Sequence, residues 1–278
     1  MKQSFLLLIF IFFLGFTSKS QDYGDFPKIE KQKLLNDLEL LYQGLDKFHT
    51  GMYWYTPKEK IDSAFEKVRS EIVRDMNVLE FYKLTAPLVS LSREGHSSIG
   101  LPDTIRSQIR KEAKFLPFGM IFLGEKLYCA YNCSNTEDSL KGLEIELING
   151  EKPLEIAKKL GLFLTSDGYI QSVKRHYLRG FSFSYKYYYQ YGNVKNFKVK
   201  FKNIDKSFLI ESLPVESVIK NIKKRQINNK KPEVKELLEF KILNDSTAYI
   251  GVHSFQNERL NKQYKKGYYK VFLQNSFQ

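Results

Sequence analysis

Cysteine, histidine and tryptophan are scarce in this chain: two, four and one in 278 residues. Two cysteines make no disulfide framework, and no set of Cys and His has zinc-ligand spacing, so neither covalent staples nor a structural metal is expected, and no cofactor is implied. Cys129 and Cys133 lie four apart. On one extended strand their Cα atoms would stand roughly 13 Å apart, beyond disulfide reach, so both are expected as buried free thiols unless the strand turns between them. Acidic residues are the minority charge, 31 against 44 Lys plus Arg, for a net charge of +13. Aromatics are plentiful, with 22 Phe and 18 Tyr in a chain that is 42% hydrophobic. That excludes intrinsic disorder, since such a composition buries enough apolar surface to offset the entropy of ordering. At roughly 100 to 200 residues per domain, the length allows two domains or one large one.

Long hydrophobic runs are also missing, with one exception. Met1-Lys2 precedes an apolar run from Phe5 to Phe16, followed by Thr17-Ser18-Lys19-Ser20. Twelve residues fall short of the roughly 20 that span a bilayer, and Ser18 and Ser20 are small residues at the −3 and −1 positions of a cut before Gln21. Residues 1–20 therefore read as a signal peptide, and no cysteine follows the run to carry a lipid. The mature chain is expected in the periplasm or outside the cell, without a membrane span, at a charge of +11 once Lys2 and Lys19 are gone.

The positive charge is dispersed rather than gathered into a stripe, which argues against nucleic acid as a partner. Its densest stretch, Lys220 to Lys231, reads as a solvated linker, and the run Tyr185 to Tyr191, five tyrosines among seven residues, reads as core packing ahead of a base- or sugar-stacking platform.

Along the mature chain, Leu34, Leu35, Leu38, Leu41, Leu45 and Phe48 recur at helical steps and predict a first helix between Ile29 and Phe48. Thr56-Pro57-Lys58-Glu59, with a capping residue, a proline and a glutamate ahead of Ile61, Ala64, Phe65 and Val68, predicts a second. Asn77 followed by Glu80 opens a third, which Pro87 is expected to kink or shorten. There follows Glu94-Gly95-His96-Ser97-Ser98, a glycine-flanked histidine leaving a helix. Such a histidine can act as a general base at neutral pH, with Ser97 or Ser98 orienting the ring, or it can be a hydrogen-bonded residue beside a helix-ending glycine. Beyond Lys114 the pattern turns to strands, Phe115 to Phe122 and Lys126 to Tyr131, separated by Gly124-Glu125.

The segment Leu140 to Leu154, in which Leu143, Ile145 and Leu147 alternate with Glu144 and Glu146 before Asn149-Gly150, resembles the part of a PDZ domain where a glycine turn feeds a strand. Ile156 to Leu164 reads as the following helix. Leu116-Pro117-Phe118-Gly119-Met120 stands where a PDZ domain keeps its carboxylate-binding loop, which implies peptide contacts at Pro117, Phe118, Gly119 and Met120. It lacks the usual alternation of glycine and hydrophobic residues. Taken in order, the export signal, a helical segment with Tyr53-Trp54-Tyr55, the Gly95-His96-Ser97 turn and the PDZ-like unit resemble the tail-specific or C-terminal processing serine peptidases, in their tricorn-core-like secreted branch. Thr247 to Phe255 resembles the first strand of that family's catalytic domain.

The resemblance implies an α+β fold: an N-terminal helical bundle segment over 21–110 carrying the Gly-His motif, a PDZ-like β-rich unit with helices over 111–212, a basic linker over 213–240, and over 241–278 the first strand and helix of a truncated α/β catalytic domain. It implies His96 as general base and Ser97 as an orienting residue, with peptides or unfolded protein termini as partners. The family's Asp-Leu-Arg and Asn-x-Gly-Gly stretches and its serine nucleophile have no counterpart here, and no Gly-x-Ser-x-Gly occurs. A base without a nucleophile performs no acyl transfer, so no peptidase activity is expected of these residues. Three readings remain open: the first part of a peptidase, a non-catalytic periplasmic peptide-binding module, and a surface binder of acidic polymer. For the export reading, N-terminal sequencing of secreted protein is expected to begin at Gln21; a mature chain still starting at Met1 overturns it.

Overall fold

The fold is α+β, and the computed structural model describes residues 22–136, 139–225, 227 and 236–276. The expected export signal lies outside these residues. They divide into two units, with the boundary at Ile227/Asn228.

In the first unit a short strand β1 (Lys28–Ile29) leads into α1 (Lys31–Phe48), whose Leu34 and Leu38 are buried while Phe48, at its end, is exposed. Helix α2 (Lys58–Glu71) buries Ile61, Phe65 and Val68. Thr56 does not cap it: its hydroxyl donates to the Leu91 carbonyl at 2.7 Å, and Pro57 is the residue at the cap. After β2 (Met76–Asn77), which pairs antiparallel with β1, the Asn77 side chain accepts from the Leu79 and Glu80 N–H groups while Glu80 accepts from the Asn77 N–H, a reciprocal cap that starts α3 (Val78–Ser90). Pro87 neither ends nor shortens this helix, which runs three residues past it to Ser90. These helices enclose a core of Leu34, Leu38, Met52, Ile61, Phe65 and Leu88.

Helix α4 (Asp103–Glu112), which the apolar pattern did not single out, leads through β3 (Lys114–Phe115) into the hairpin of β4 (Phe118–Leu123) and β5 (Lys126–Asn132). Gly124, at φ +61, supplies the left-handed first position of its two-residue turn. Strand β6 (Glu144–Ile148) pairs with β5, and Asn149 (φ +51) and Gly150 (φ +84) form the expected turn. The alternation expected across β6 is broken, because a register shift between Ile145 and Leu147 changes the phase, so that Ile145 and Ile148 are buried and Leu147 only half-buried. Then follow α5 (Pro153–Leu160), which continues as a 3₁₀ turn over Gly161–Phe163, α6 (Gln171–Tyr177), α7 (Ser182–Tyr191), β7 (Asn196–Phe201) and β8 (Ser207–Glu211). The sheet has the order β4-β5-β6-β7-β8, antiparallel throughout, over a core that includes Phe118, Met120, Cys129, Ile145, Phe183 and Phe201.

Short β9 (Leu213–Pro214) pairs with β3, and α8 (Val215–Lys224) follows it, where the sequence reading placed the start of a linker. The reason is an apolar stripe: Val218 and Ile222 pack with Cys133 and Leu213, and Arg225 donates to the carbonyls of Asn132, Ser134 and Thr136. Most of the basic run beyond Arg225 lies outside the described residues. The helical segment and the sheet, expected as separate domains, belong to one unit because Tyr82, Leu79 and Phe115 share a core with Phe163 and Tyr188.

The second unit is a hairpin of β10 (Leu238–Asn244) and β11 (Thr247–Val252) with α9 (Asn257–Gln263) and α10 (Tyr268–Ser276). The strand expected within Thr247 to Phe255 runs from Thr247 to Val252 and is paired with β10, whose first three residues, 238–240, were assigned to the linker. Its core is small, built on Leu237, Leu238 and Leu260. Cutting the chain after Ile227 is expected to leave the first unit with an unchanged urea midpoint by circular dichroism and with less tendency to aggregate; loss of cooperative unfolding in the shortened protein overturns this division.

Candidate functional site

The Gly-His segment is a tight turn between α3 and α4. Arg93 takes a left-handed conformation at φ +52, and its carbonyl accepts from the Gly168 N–H at 2.8 Å. The Gly95 N–H donates to Asp167 Oδ1 at 2.7 Å, and a Cβ on residue 95 would lie 3.0 Å from that same oxygen, which accounts for the glycine. Glu94 closes the turn from below, accepting from the His96 N–H at 2.9 Å and from Ser97 Oγ at 2.7 Å. These two hydrogen bonds, Ser97's first, hold its carboxyl below the usual carboxylate range.

On this turn the His96 side chain is exposed, and its ring makes no hydrogen bond among the described residues. The histidine that meets Ser97 is His49, whose Nε2 lies 2.7 Å from Ser97 Oγ. Its Nδ1 accepts from the Gly51 N–H at 3.2 Å, which leaves Nε2 as the protonated nitrogen. The chain of donors therefore runs from His49 to Ser97 to Glu94. Ser97 receives a proton from its histidine instead of giving one up, so this trio positions the turn and does not activate a nucleophile. Ser97 does not orient the His96 ring. The sequence reading missed His49, which lies 48 residues from Ser97 with no motif around it; the rarity of histidine was the one signal that pointed to it.

Aromatic side chains border the turn. Tyr169 lies under the Arg93 guanidinium at 4.1 Å, donates to the Tyr55 carbonyl at 3.2 Å and meets the Tyr55 ring edge-on. Trp54, beside Tyr55 in sequence, is 78% exposed.

Pro117, Phe118, Gly119 and Met120 do not form an open loop. All four are buried, Phe118 and Met120 completely, and Met120 exchanges both backbone hydrogen bonds with Gly180. Gly119 lies flat under the Tyr131 ring, with no room for a Cβ. The edge of β4 is thereby bridged by the chain's own α6–α7 connection at the point where a bound strand would add. In the second unit, Ser254 is buried and accepts from the Gln256 N–H. Among the described residues no group of three His, Cys, Asp or Glu side chains is placed to hold a metal ion, and no helix is long and apolar enough to cross a membrane.

The tyrosine run sits mostly inside. Tyr187 and Tyr188 are buried, and Tyr188 Oη donates to the Tyr23 carbonyl, which makes the run a packing element and not a stacking platform. Lys186, among these rings and 5.0 Å from the centre of Tyr189, has its pKa pushed down from 10.5 to about 8 by burial.

No protein-family model matches the chain, and no curated protein is similar to it. A solved structure of mature CPAF is similar over 73% of this chain at 11% identity and a TM-score of 0.40, and the match spans 38% of that protein's chain.

The folded state releases the Lys186 proton near pH 8 and the unfolded chain near 10.5, so between these values the unfolded state binds more protons and stability rises with pH. Lys186→Met is accordingly expected to raise the urea midpoint at pH 7, with the gain over the wild type shrinking as pH climbs from 8 to above 10.5. A pH-independent difference overturns the assignment of that cost to the buried charge.

Proposed function

We propose that the chain is an exported, substrate-handling part of a serine-type C-terminal processing peptidase, binding peptides or unfolded protein termini without hydrolysing them by itself. His96 is its general base, serving a serine that these 278 residues do not supply. The observation that carries this reading is a turn fixed by Asp167, Gly168 and Glu94 that leaves one exposed imidazole uncommitted in hydrogen bonding, since a base must be held in place and yet be free to take a proton. The exposed faces of Trp54 and Tyr169 give an extended peptide an apolar surface beside the turn. The buried state of Pro117 to Met120 favours that surface over the PDZ-like loop as the place where the peptide lies.

The purified protein is expected to bind reduced, carboxymethylated lactalbumin in fluorescence anisotropy, to leave it uncut, and to take no label from a fluorophosphonate probe, with His96→Ala changing none of these. Hydrolysis that vanishes in His96→Ala overturns the absence of a nucleophile, and failure to bind overturns the substrate-handling role. In a longer chain that supplies the serine, the same substitution is expected to lower kcat by several orders of magnitude with little change in KM.

A further inference from the structure

The first unit contains a cleft that shares Arg93 and Gly168 with the Gly-His turn but extends well beyond it. It lies between α2 and α3 on one side and α5, the 3₁₀ turn and α6 on the other, with a volume of about 480 Å³. Small-molecule sites fall within roughly 300 to 1,000 Å³ and combine an apolar lining with a few convergent polar groups. This cleft has both: Val68, Pro87, Leu91 and Leu162 are among its apolar walls, and five cations, Lys67, Lys83, Arg93, Lys158 and Lys174, line it against one carboxylate, Glu71.

The cations are not equivalent. Lys67 lies 4.0 Å from Glu71, and Lys158 is paired with Glu155 at 2.9 Å; both are well exposed. Lys83, half-buried, donates to the Gln190 carbonyl at 3.1 Å. Lys174 donates to Ser90 Oγ at 3.1 Å and to the Gly161 carbonyl at 3.0 Å, which uses two of its three protons on neutral partners. Arg93 makes a long contact to Thr56 Oγ1 at 3.4 Å and stacks on Tyr169. Among the described residues neither Lys174 nor Arg93 has a carboxylate within ion-pair distance. Lys174 and Arg93 both line the cleft and both are half-buried, and burial, then the charge of Arg93, push the Lys174 pKa down. Partly desolvated cations that line one cleft without a carboxylate partner favour an anion beside them.

We infer that this cleft binds a small amphipathic organic anion, its anionic head between Lys174 and Arg93 and its apolar body along Val68, Pro87, Leu91 and Leu162. A bare inorganic anion leaves the apolar wall wet, and a neutral apolar molecule leaves the cations uncompensated, so both halves of the ligand are required. The cleft takes this ligand whether or not the chain handles peptides. Because Arg93 also sets the left-handed start of the Gly-His turn, an occupant would stiffen the segment that carries His96.

Sodium decanoate serves as the probe, titrated calorimetrically into the protein at low ionic strength. The expected result is saturable binding at one site, weakened at least tenfold by Lys174→Met and likewise by Leu162→Asp, a partly exposed wall position at which a carboxylate repels the head and wets the apolar body. Urea midpoints show that each variant is folded, and the second variant keeps the inference open to refutation if loss of the Lys174 hydrogen bonds unfolds the first. Decanol, sodium acetate and sodium sulfate are each expected to displace decanoate at least tenfold less well. Binding of decanoate that is equal in wild type and Leu162→Asp, displacement by decanol or sulfate at matching concentration, or no saturable binding overturns the inference.

Discussion

Tyr82 of α3 stacks flat on Phe163 with ring centres 5.6 Å apart, and Tyr189 of α7 meets both rings edge-on. This aromatic contact fixes the helical segment to the sheet-bearing segment, and the position of the Gly-His turn follows from it. The turn is tied on one side to α3, where Ser92 Oγ donates to the Val89 carbonyl, and on the other to Asp167 and Gly168, which follow the 3₁₀ turn that contains Phe163. Aromatic pairs of this kind contribute about 0.5 to 1.5 kcal/mol each beyond the area they bury. Removing the Tyr82 ring would therefore cost stability and also let the two ends of the turn drift apart.

Much of the fold was legible because local patterns and tertiary packing agree. The Asn77 and Glu80 cap, the Gly124 hairpin and the Asn149-Gly150 turn each need a particular residue at a particular dihedral, and the sequence supplies it. Two of the misreadings lie where a long-range partner overrides the local signal. Thr56 has the look of a cap until Leu91, 35 residues on, takes its hydroxyl. The Leu116 to Met120 segment has the look of a loop until Gly180 closes its edge. At the candidate site, His96 could be read from its glycine, but Asp167 and His49, which give the turn its rigidity and its proton direction, stand in no motif, and only the scarcity of histidine pointed to His49.

Proton direction is what separates a supporting histidine from a catalytic one in this molecule. A serine next to a histidine suggests a nucleophile, yet Gly51 claims the acceptor nitrogen of His49 and Glu94 claims the Ser97 hydroxyl proton. Every group in the trio is satisfied, and nothing is left to drive Ser97 toward an alkoxide. His96 has the opposite character, with its backbone N–H held by Glu94 and its ring open to solvent, which suits it to meet a partner that arrives from elsewhere.

The two thiols bear on how the molecule can be watched. Cys129 and Cys133 are completely buried, and burial raises their pKa values to about 12 and about 11. Reactivity belongs to the thiolate, which at neutral pH is then only about one part in 10⁴ to 10⁵ of each group. Thiol-directed oxidants and alkylating agents therefore meet two shielded, mostly protonated thiols for as long as the protein stays folded. Cys129 lies in the core of the sheet, while Cys133 packs with Leu213 and Val218 under α8, so the two report on separate openings. Slow alkylation followed residue by residue would time the release of α8 independently of the opening of the sheet, giving the chain a pair of intrinsic clocks for the order in which it comes apart.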